Sequence, residues 1–396
     1  MISFENNHQP KVLIVYASYG EGHLQVARAI RNALEAHGNQ RTVMVDLMAE
    51  SHPWLNKATK LFYLSSYTHM PALYGWMYDF TRPMRHDSLF GSLLHSFGRS
   101  KIKRIVAAEQ PDAVVHTFPS FALPELTMHK SCHPPSYAVI TDFDLHRRWV
   151  HPGIERYYVA TEDLGRELSQ LGIPGSAIQV SGIPLKKGFH TTAASAELYK
   201  YYQLQPDIPV VLLMAGAQGV MPDVAQICCQ LLNHSQLQLA LVCGHNLQLK
   251  EAIEAQFCTH TSFHRLHVYG FVEQIHELMS LSDCLITKPG GVTLSEAIAA
   301  GLPIFTYRPV PGQEKRNALY LASKGAAFIA HDPYELTEQI LKLIDDPFLL
   351  ITSRLSVSKL QTEQTAADSI VLDILSKLCI MESTTNLSPE KEPARA

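Results

Sequence analysis

Three glycine turns in this chain have the makings of anion sites, and one of them leads into a histidine. Gly20 and Gly22 precede His23. Gly216, Ala217, Gln218 and Gly219 form a second turn. Gly290 and Gly291 form a third, followed by Thr293 and Glu296. Glycine lets a backbone approach a ligand closely, and a helix that starts there offers free N–H groups to negative charge. None completes a dinucleotide fingerprint, since Gln25 stands where the third glycine belongs, and no Gly-Lys-Ser/Thr follows, which excludes a P-loop. His23, with an unperturbed pKa of about 6.5, is a candidate general base; the plainer account is a helix-start histidine that orders its turn. Asp142 is the rival base, or the group that orients it. Thr293 and Glu296 have capping-box spacing. That role stands beside a second one, in which Gly290, Gly291 and Thr293 bind a diphosphate and Glu296 a ribose diol. Gln313, Glu314 and Asn317 follow in a polar loop, able to read sugar hydroxyls or simply to be solvated.

The elements that must position these residues are legible in outline. "KVLIVYAS" reads as a buried strand, and "LQVARAIRNALEAHG" as a helix with Val26, Ala27, Ile30, Ala33 and Leu34 on one face. Strands follow at "RTVMVDLM", "DAVVHTF", "SYAVITDF", "RYYVAT" and "AIQVSGIPL". The pattern restarts with strands at "PVVLLMAGAQG", "QLALVCG", "LHVYGFV", "DCLIT" and "LPIFTY", with helices between them and a late helix at "PYELTEQILKLIDD". Alternating strands and helices make an α/β protein of two doubly wound, Rossmann-like domains with a cleft between them. The expected division is 1–190, 191–380 and a disordered polar tail at 381–396.

A length of 396 residues suits two domains, and 46% hydrophobic residues give a sizeable core. A net charge of -4 argues against a protein built to coat nucleic acid. Seven scattered cysteines without a Cys-x-x-Cys pair read as reduced thiols in a cytoplasmic protein. The first apolar run is too short for a signal peptide, and no stretch approaches a membrane-spanning length. Membrane contact is therefore expected to be peripheral.

The ordered set "ASYGEGH", "ITDFDLHRRWV", "VSGIPL", "LLMAGAQG", "GFVEQIHELM", "ITKPGGVTLSEA" and "PVPGQEKRNA" resembles the bacterial processive diacylglycerol glucosyltransferases and the plastid monogalactosyldiacylglycerol synthases. It is also similar, at greater distance, to the peptidoglycan lipid-linked GlcNAc transferase. The resemblance covers about Lys11 to about Ala330. It implies a GT-B fold, with the acceptor in the N-terminal half and a nucleotide-sugar donor in the other. It implies that Phe271-Val272 bind uracil through their backbone. Gly216, Ala217, Gln218, Gly219, Gly290, Gly291 and Thr293 would lie at the diphosphate, Glu296 at the ribose, and Gln313 and Glu314 at the hexose. At His245 relatives often carry lysine, so a positive charge near the donor is missing there or supplied elsewhere. The implied reaction moves glucose from UDP-glucose to diacylglycerol with inversion, with His23 or Asp142 as base. UDP-galactose or UDP-GlcNAc as donor, or a non-catalytic UDP-sugar-binding regulator, are the alternatives. Asp142-Phe143-Asp144 has the form of a metal-binding Asp-x-Asp, but the family needs no metal, and no cofactor is expected. His260, His264 and His267 are read as scattered polar histidines.

Residues 53–104 combine aromatic with basic side chains, among them Trp54, Trp76, Arg82, Arg85, Lys101 and Lys103. Such a mixture suits an anionic membrane surface, here the inner face of the cell membrane. Packing inside the domain and nucleic-acid binding are the other readings; the latter lacks any accompanying motif. Gly20, Gly22, His146 and Trp149 complete the expected acceptor side.

Overall fold

The structure, a computed structural model, describes residues 9–18, 21–51, 70–88, 98–127, 133–189, 191–234, 236–362 and 364–386. Gly20 and Trp54 lie outside them.

Continuous β-branched runs give strands buried on both faces, the signature of parallel sheets covered by helices. β1 (Val12–Tyr16), β2 (Thr42–Asp46), β3 (Ala113–His116), β4 (Ser136–Val139), β5 (Arg156–Val159) and β6 (Ile178–Val180) form one parallel sheet in the order β2-β1-β3-β4-β5-β6. β7 (Val210–Met214), β8 (Gln238–Val242), β9 (Leu266–Tyr269), β10 (Cys284–Thr287), β11 (Ile304–Tyr307) and β12 (Ala327–Ala330) form the second, in the order β12-β11-β10-β7-β8-β9. The order in which parallel strands are added to the sheet switches sides between β1 and β3 in the first sheet and between β7 and β10 in the second. Each reversal opens a crevice beyond the strands' carboxyl ends, where open α/β sheets bind ligands. β12 was not anticipated, because "AFIA" is short and rich in alanine, a weak strand former.

The Glu21–Ala36 helix buries Val26, Ala27, Ile30, Ala33 and Leu34, the face that its spacing predicts. Gly38, at φ +86°, follows its end.

The last helix corrects the expected division. It runs from Ala366 to Asn386, so residues 381–386 are helical, while 387–396 of the expected tail lie outside the described residues. It also leaves the second domain. Ile370, Val371 and Ile374 are buried in the core cluster that includes Ala29, Ala33 and Tyr158 of the first domain. Asp373 accepts a hydrogen bond from Tyr158 (2.8 Å) and pairs with Arg156 (2.8 Å), while Asp368 meets His37 (2.9 Å). An apolar stripe finds its partner where one is vacant, and the first sheet's helix layer supplies it.

Candidate active site

His23 stands in the first turn of its helix, at the crevice between β1 and β3. Its Nδ1 lies 2.7 Å from the Thr117 carbonyl and 3.2 Å from Thr141 Oγ1. A carbonyl only accepts, so Nδ1 carries the proton and Nε2 is left as an acceptor. Desolvation holds the imidazole at a pKa of about 4, against the pull of the Thr117 bond, with Arg148 pushing the same way as burial. The ring is therefore neutral at pH 7. Phe118 packs edge-on against it at 5.1 Å.

Asp142 is buried, and desolvation raises its carboxyl to about 6 against hydrogen bonds from Gln313 and Asn317. Both donors come from the second domain. Gln313 Nε2 donates to Asp142 Oδ1, and so does Asn317 Nδ2 at 3.2 Å. Asn317 also accepts from the Phe143 N–H (2.9 Å) and donates to the Pro289 carbonyl (3.2 Å). Asn317 thus staples the domains and is fully buried. Gln313 directs its amide N–H across the cleft to Asp142.

The third glycine turn joins the same seam. The helix spans Gly291–Ala299 with Gly290 at its N-cap, and no side chain caps it. Thr293 is the third helical residue, so the capping-box account of Thr293 and Glu296 is corrected. A Cβ on Gly291 would stand 2.0 Å from the Thr141 carbonyl oxygen, whereas one on Gly290 would meet nothing within 4 Å. Gly291 is thus a closure contact between domains, and Gly22 meets Val292 on the same seam at 3.3 Å from its would-be Cβ. Glu296 is 5% exposed. Desolvation raises its carboxyl to about 7, with Lys186 opposing, and no described residue hydrogen-bonds it. A buried carboxylate of this kind costs stability unless a ligand pairs it.

Gly216, Gly219 and Gly244 all have positive φ, and their turns interlock. A Cβ on Gly219 would lie 2.3 Å from the Cys243 carbonyl oxygen, and one on Gly244 2.4 Å from that of Ala217. Gln218 is exposed on this turn. His245 lies flat on Phe271, ring centroids 4.2 Å apart and planes within 8°. Phe271 is exposed and Val272 half-buried beside it. Glu314 sits in the first turn of the Gln313–Ser323 helix.

On the other side of the cleft lies the Pro71–Thr81 helix. Gly75 is pressed on Pro311, with no room for a Cβ (2.2 Å), and Tyr78 packs on Gly312. Tyr78 donates to Asp144 (3.2 Å), and Arg316 pairs with Asp79 (2.8 Å). The opposite face is bare: Leu73, Trp76, Met77 and Phe80 recur at helical spacing, with Trp76 63% and Phe80 57% exposed and stacked at 5.3 Å.

Several residues expected on the acceptor side are engaged by the fold. Trp149 is 3% exposed in a core cluster with Phe121 and Leu145, so its side chain packs the loop. His146 is also buried; its Nδ1 accepts from Arg148 N (3.1 Å) and its Nε2 meets Thr81 Oγ1 (3.3 Å), tying the loop to the Pro71–Thr81 helix. Arg82 pairs with Asp144 (2.9 Å) and Glu167 (3.3 Å), and Lys101 with Glu50 (2.9 Å), so neither is a bare cation for lipid. Asp144 is thus engaged by both Arg82 and Tyr78. Arg85 pairs with its neighbour Asp87 at the surface, and Lys103 is exposed. Among the described residues His86, Glu125 and His151 form one cluster of metal-ligating type. Within it the Gly153 N–H donates to His151 Nδ1 (3.0 Å), and His151 Nε2 lies 2.9 Å from a Glu125 carboxylate oxygen.

Known proteins resemble this chain along nearly its whole length. The chain is 38% identical over 98% of its length to a protein of Bacillus cytotoxicus named processive diacylglycerol beta-glucosyltransferase, covering 98% of that protein. The chain belongs to the processive diacylglycerol β-glucosyltransferase family. A Bacillus cereus relative of the same name is 37% identical with the same coverage. Residues 23–185 match the monogalactosyldiacylglycerol (MGDG) synthase family model, and residues 197–359 the glycosyl transferases group 1 model. The fold is also that of Acinetobacter baumannii MurG (TM-score 0.59, 16% identity, 93% of this chain and 100% of that one) and of CalG4, the calicheamicin glycosyltransferase (TM-score 0.62, 12% identity, 96% and 100%). This is a GT-B glycosyltransferase, with one family model on each domain.

Proposed function

We propose that this enzyme transfers glucose from UDP-glucose to the hydroxyl of diacylglycerol, with inversion, at a membrane surface, and adds further sugars to its product. Near full-length identity with proteins named for that activity carries the reading. The cleft is chemically suited to it. Inversion by one displacement needs a base for the acceptor proton and an N–H-rich or cationic place for the leaving diphosphate. His23 offers a neutral imidazole with Nε2 open, and we assign it as the base. Asp142, held by Gln313 and Asn317, aligns the two domains around it. Glu296 is assigned to the ribose, Phe271-Val272 to the uracil, and Gly216–Gly219 with Gly290 and Thr293 to the diphosphate. Glu314 is assigned to the hexose.

No helix among the described residues is long and apolar enough to cross a membrane. The bare face of the Pro71–Thr81 helix supports peripheral attachment, with Trp76 and Phe80 at headgroup depth. Exposed Lys103 and Arg104 suit anionic lipid.

The test is transfer by the purified chain from labelled UDP-glucose, UDP-galactose and UDP-GlcNAc to diacylglycerol in anionic liposomes, with and without EDTA. Glucose transfer unaffected by EDTA is expected. Preference for another sugar overturns the donor assignment, loss with EDTA overturns the metal-free mechanism, and no transfer from any donor overturns the enzyme's proposed substrates.

A further inference from the structure

The Pro71–Thr81 helix is weakly specified by its own residues. Gly75 in its middle disfavours a helix, and no side chain caps its start at Met70. Gly75 is also the only buried residue of the helix. The C-terminal end is tied to the first domain, where Tyr78 (3.2 Å) and Arg82 (2.9 Å) both donate to Asp144. The middle is pressed on the second domain instead. Gly75 leaves no room for a Cβ beside Pro311, a Cβ on Gly312 would stand 3.1 Å from Tyr78 and 3.3 Å from Tyr74, and Asp79 pairs with Arg316 at 2.8 Å. The turn that makes these contacts is the one that carries Gln313 and Glu314. It is internally braced: the Lys315 N–H donates to the Val310 carbonyl (3.0 Å) and the Arg316 N–H to the Gly312 carbonyl (3.2 Å). Gly312 holds φ +100°, a conformation that favours glycine. A displacement at Glu314 therefore reaches Pro311 within one stiff turn. The helix thus stands between two partners. Its inner face meets the donor turn, and its outer face is the apolar one of Trp76 and Phe80.

We propose that this helix couples donor binding to membrane binding: a nucleotide-sugar held at the Gln313–Glu314 turn fixes the helix through Gly75, Tyr78 and Asp79, and the fixed helix binds an anionic membrane more tightly. The inference rests on the membrane attachment and the donor assignments of the proposed function. Its physical basis is ordering. An apolar helix face inserts only once the helix is formed, so part of the membrane affinity is lost to ordering a segment that its own sequence leaves weak. With the donor turn already closed on the inner face, that ordering has been done before lipid arrives, and two ligands that order one element bind it cooperatively. Linkage makes the effect reciprocal: the membrane raises the affinity for the nucleotide-sugar by the same factor. The enzyme then holds its donor most tightly at the bilayer, where the acceptor is, and leaves the membrane more readily once the donor turn is empty.

The experiment measures co-sedimentation of the full chain with phosphatidylserine–phosphatidylcholine vesicles that contain no diacylglycerol, with and without saturating UDP-glucose. Wild type should bind the vesicles about five-fold or more tightly with UDP-glucose present, and calorimetry should find UDP-glucose bound more tightly by the same factor when vesicles are present. Hydrogen exchange at the amides of residues 71–81 should slow when UDP-glucose is added. Gly75→Ala wedges a methyl group against Pro311, and Arg316→Gln removes the pair with Asp79; neither touches the outer face. Each variant should keep the nucleotide-free vesicle affinity within about two-fold of wild type and lose most of the UDP-glucose enhancement. If Gly75→Ala stiffens the helix and binds vesicles more tightly by itself, Arg316→Gln, which lies outside the helix, decides. Equal vesicle affinity of wild type with and without UDP-glucose, or an undiminished enhancement in Arg316→Gln, overturns the coupling. A wild type that binds no vesicles overturns the membrane attachment itself, and one that binds no UDP-glucose overturns the donor assignments.

Discussion

Glu296 distinguishes a stability role from a binding role by measurement. Its carboxyl stands at about 7 in the folded protein against 4.5 ordinarily, because it is desolvated. The folded state therefore keeps a proton that the unfolded chain has released over that range. This contribution is full below the unfolded value and is lost as pH rises through about 7. Glu296→Gln should remove the loss: in urea unfolding the variant should match wild type near the acid end and be the more stable above neutrality. The same variant should bind UDP at least ten-fold more weakly, as expected of about 1.5–3 kcal/mol for hydrogen bonds to a charged group. A variant less stable than wild type at every pH, with UDP affinity intact, would mean that the carboxylate serves the fold. Sequence spacing suggested a capping box here, and it misled because capping depends on where the helix begins. The helix begins two residues earlier than Thr293, a boundary that spacing does not fix.

At the scale of elements, the start of the Gly291–Ala299 helix does two things that one substitution pair can separate. Gly290 has open space, whereas Gly291 is pressed on the Thr141 carbonyl. Gly291→Ala should force the domains apart and lower kcat more than ten-fold, with a larger radius in solution scattering. Gly290→Ala should leave the scattering curve unchanged. Matching scattering curves for the two variants would remove Gly291 from the closure contact. The Pro71–Thr81 helix likewise has two faces. Its inner face holds the donor-domain loop through Gly75, Tyr78 and Asp79; its outer face is apolar. Burying one large side chain contributes about 1.5–3 kcal/mol. Trp76→Ser with Phe80→Ser should therefore reduce liposome binding at least ten-fold while UDP binding is kept. Unchanged co-sedimentation would refute attachment through this face. The aromatic and basic composition of the region was visible in the sequence. Which cations were engaged was not, because Asp144, Glu167 and Glu50 reach Arg82 and Lys101 only through the fold.

For the molecule as a whole, the last helix binds the C-terminal end of the chain back onto the first domain. Asp373 receives both Tyr158 and Arg156 there. Asp373→Ala takes the acceptor from the buried Tyr158 hydroxyl and one partner from Arg156, which keeps Gln179 Oε1 and the Ser176 carbonyl, a loss of about 1–3 kcal/mol. Thermal unfolding should fall by several degrees, and a shift under one degree would show that the crossing helix is held by its apolar face alone.

Sequence by itself determined the two α/β halves and nearly all of their strands, because continuous β-branched runs bounded by turns can bury themselves in few other ways. It determined the glycine turns at strand ends for the same local reason. Tertiary structure decided what long-range contact alone can decide. It set Asn317 and Gln313 on Asp142, pressed Gly291 on Thr141 and Gly75 on Pro311, and sent the last helix to the other domain. Those pairs are separated by long stretches of chain, and no periodicity or local spacing records which distant surface a side chain will meet.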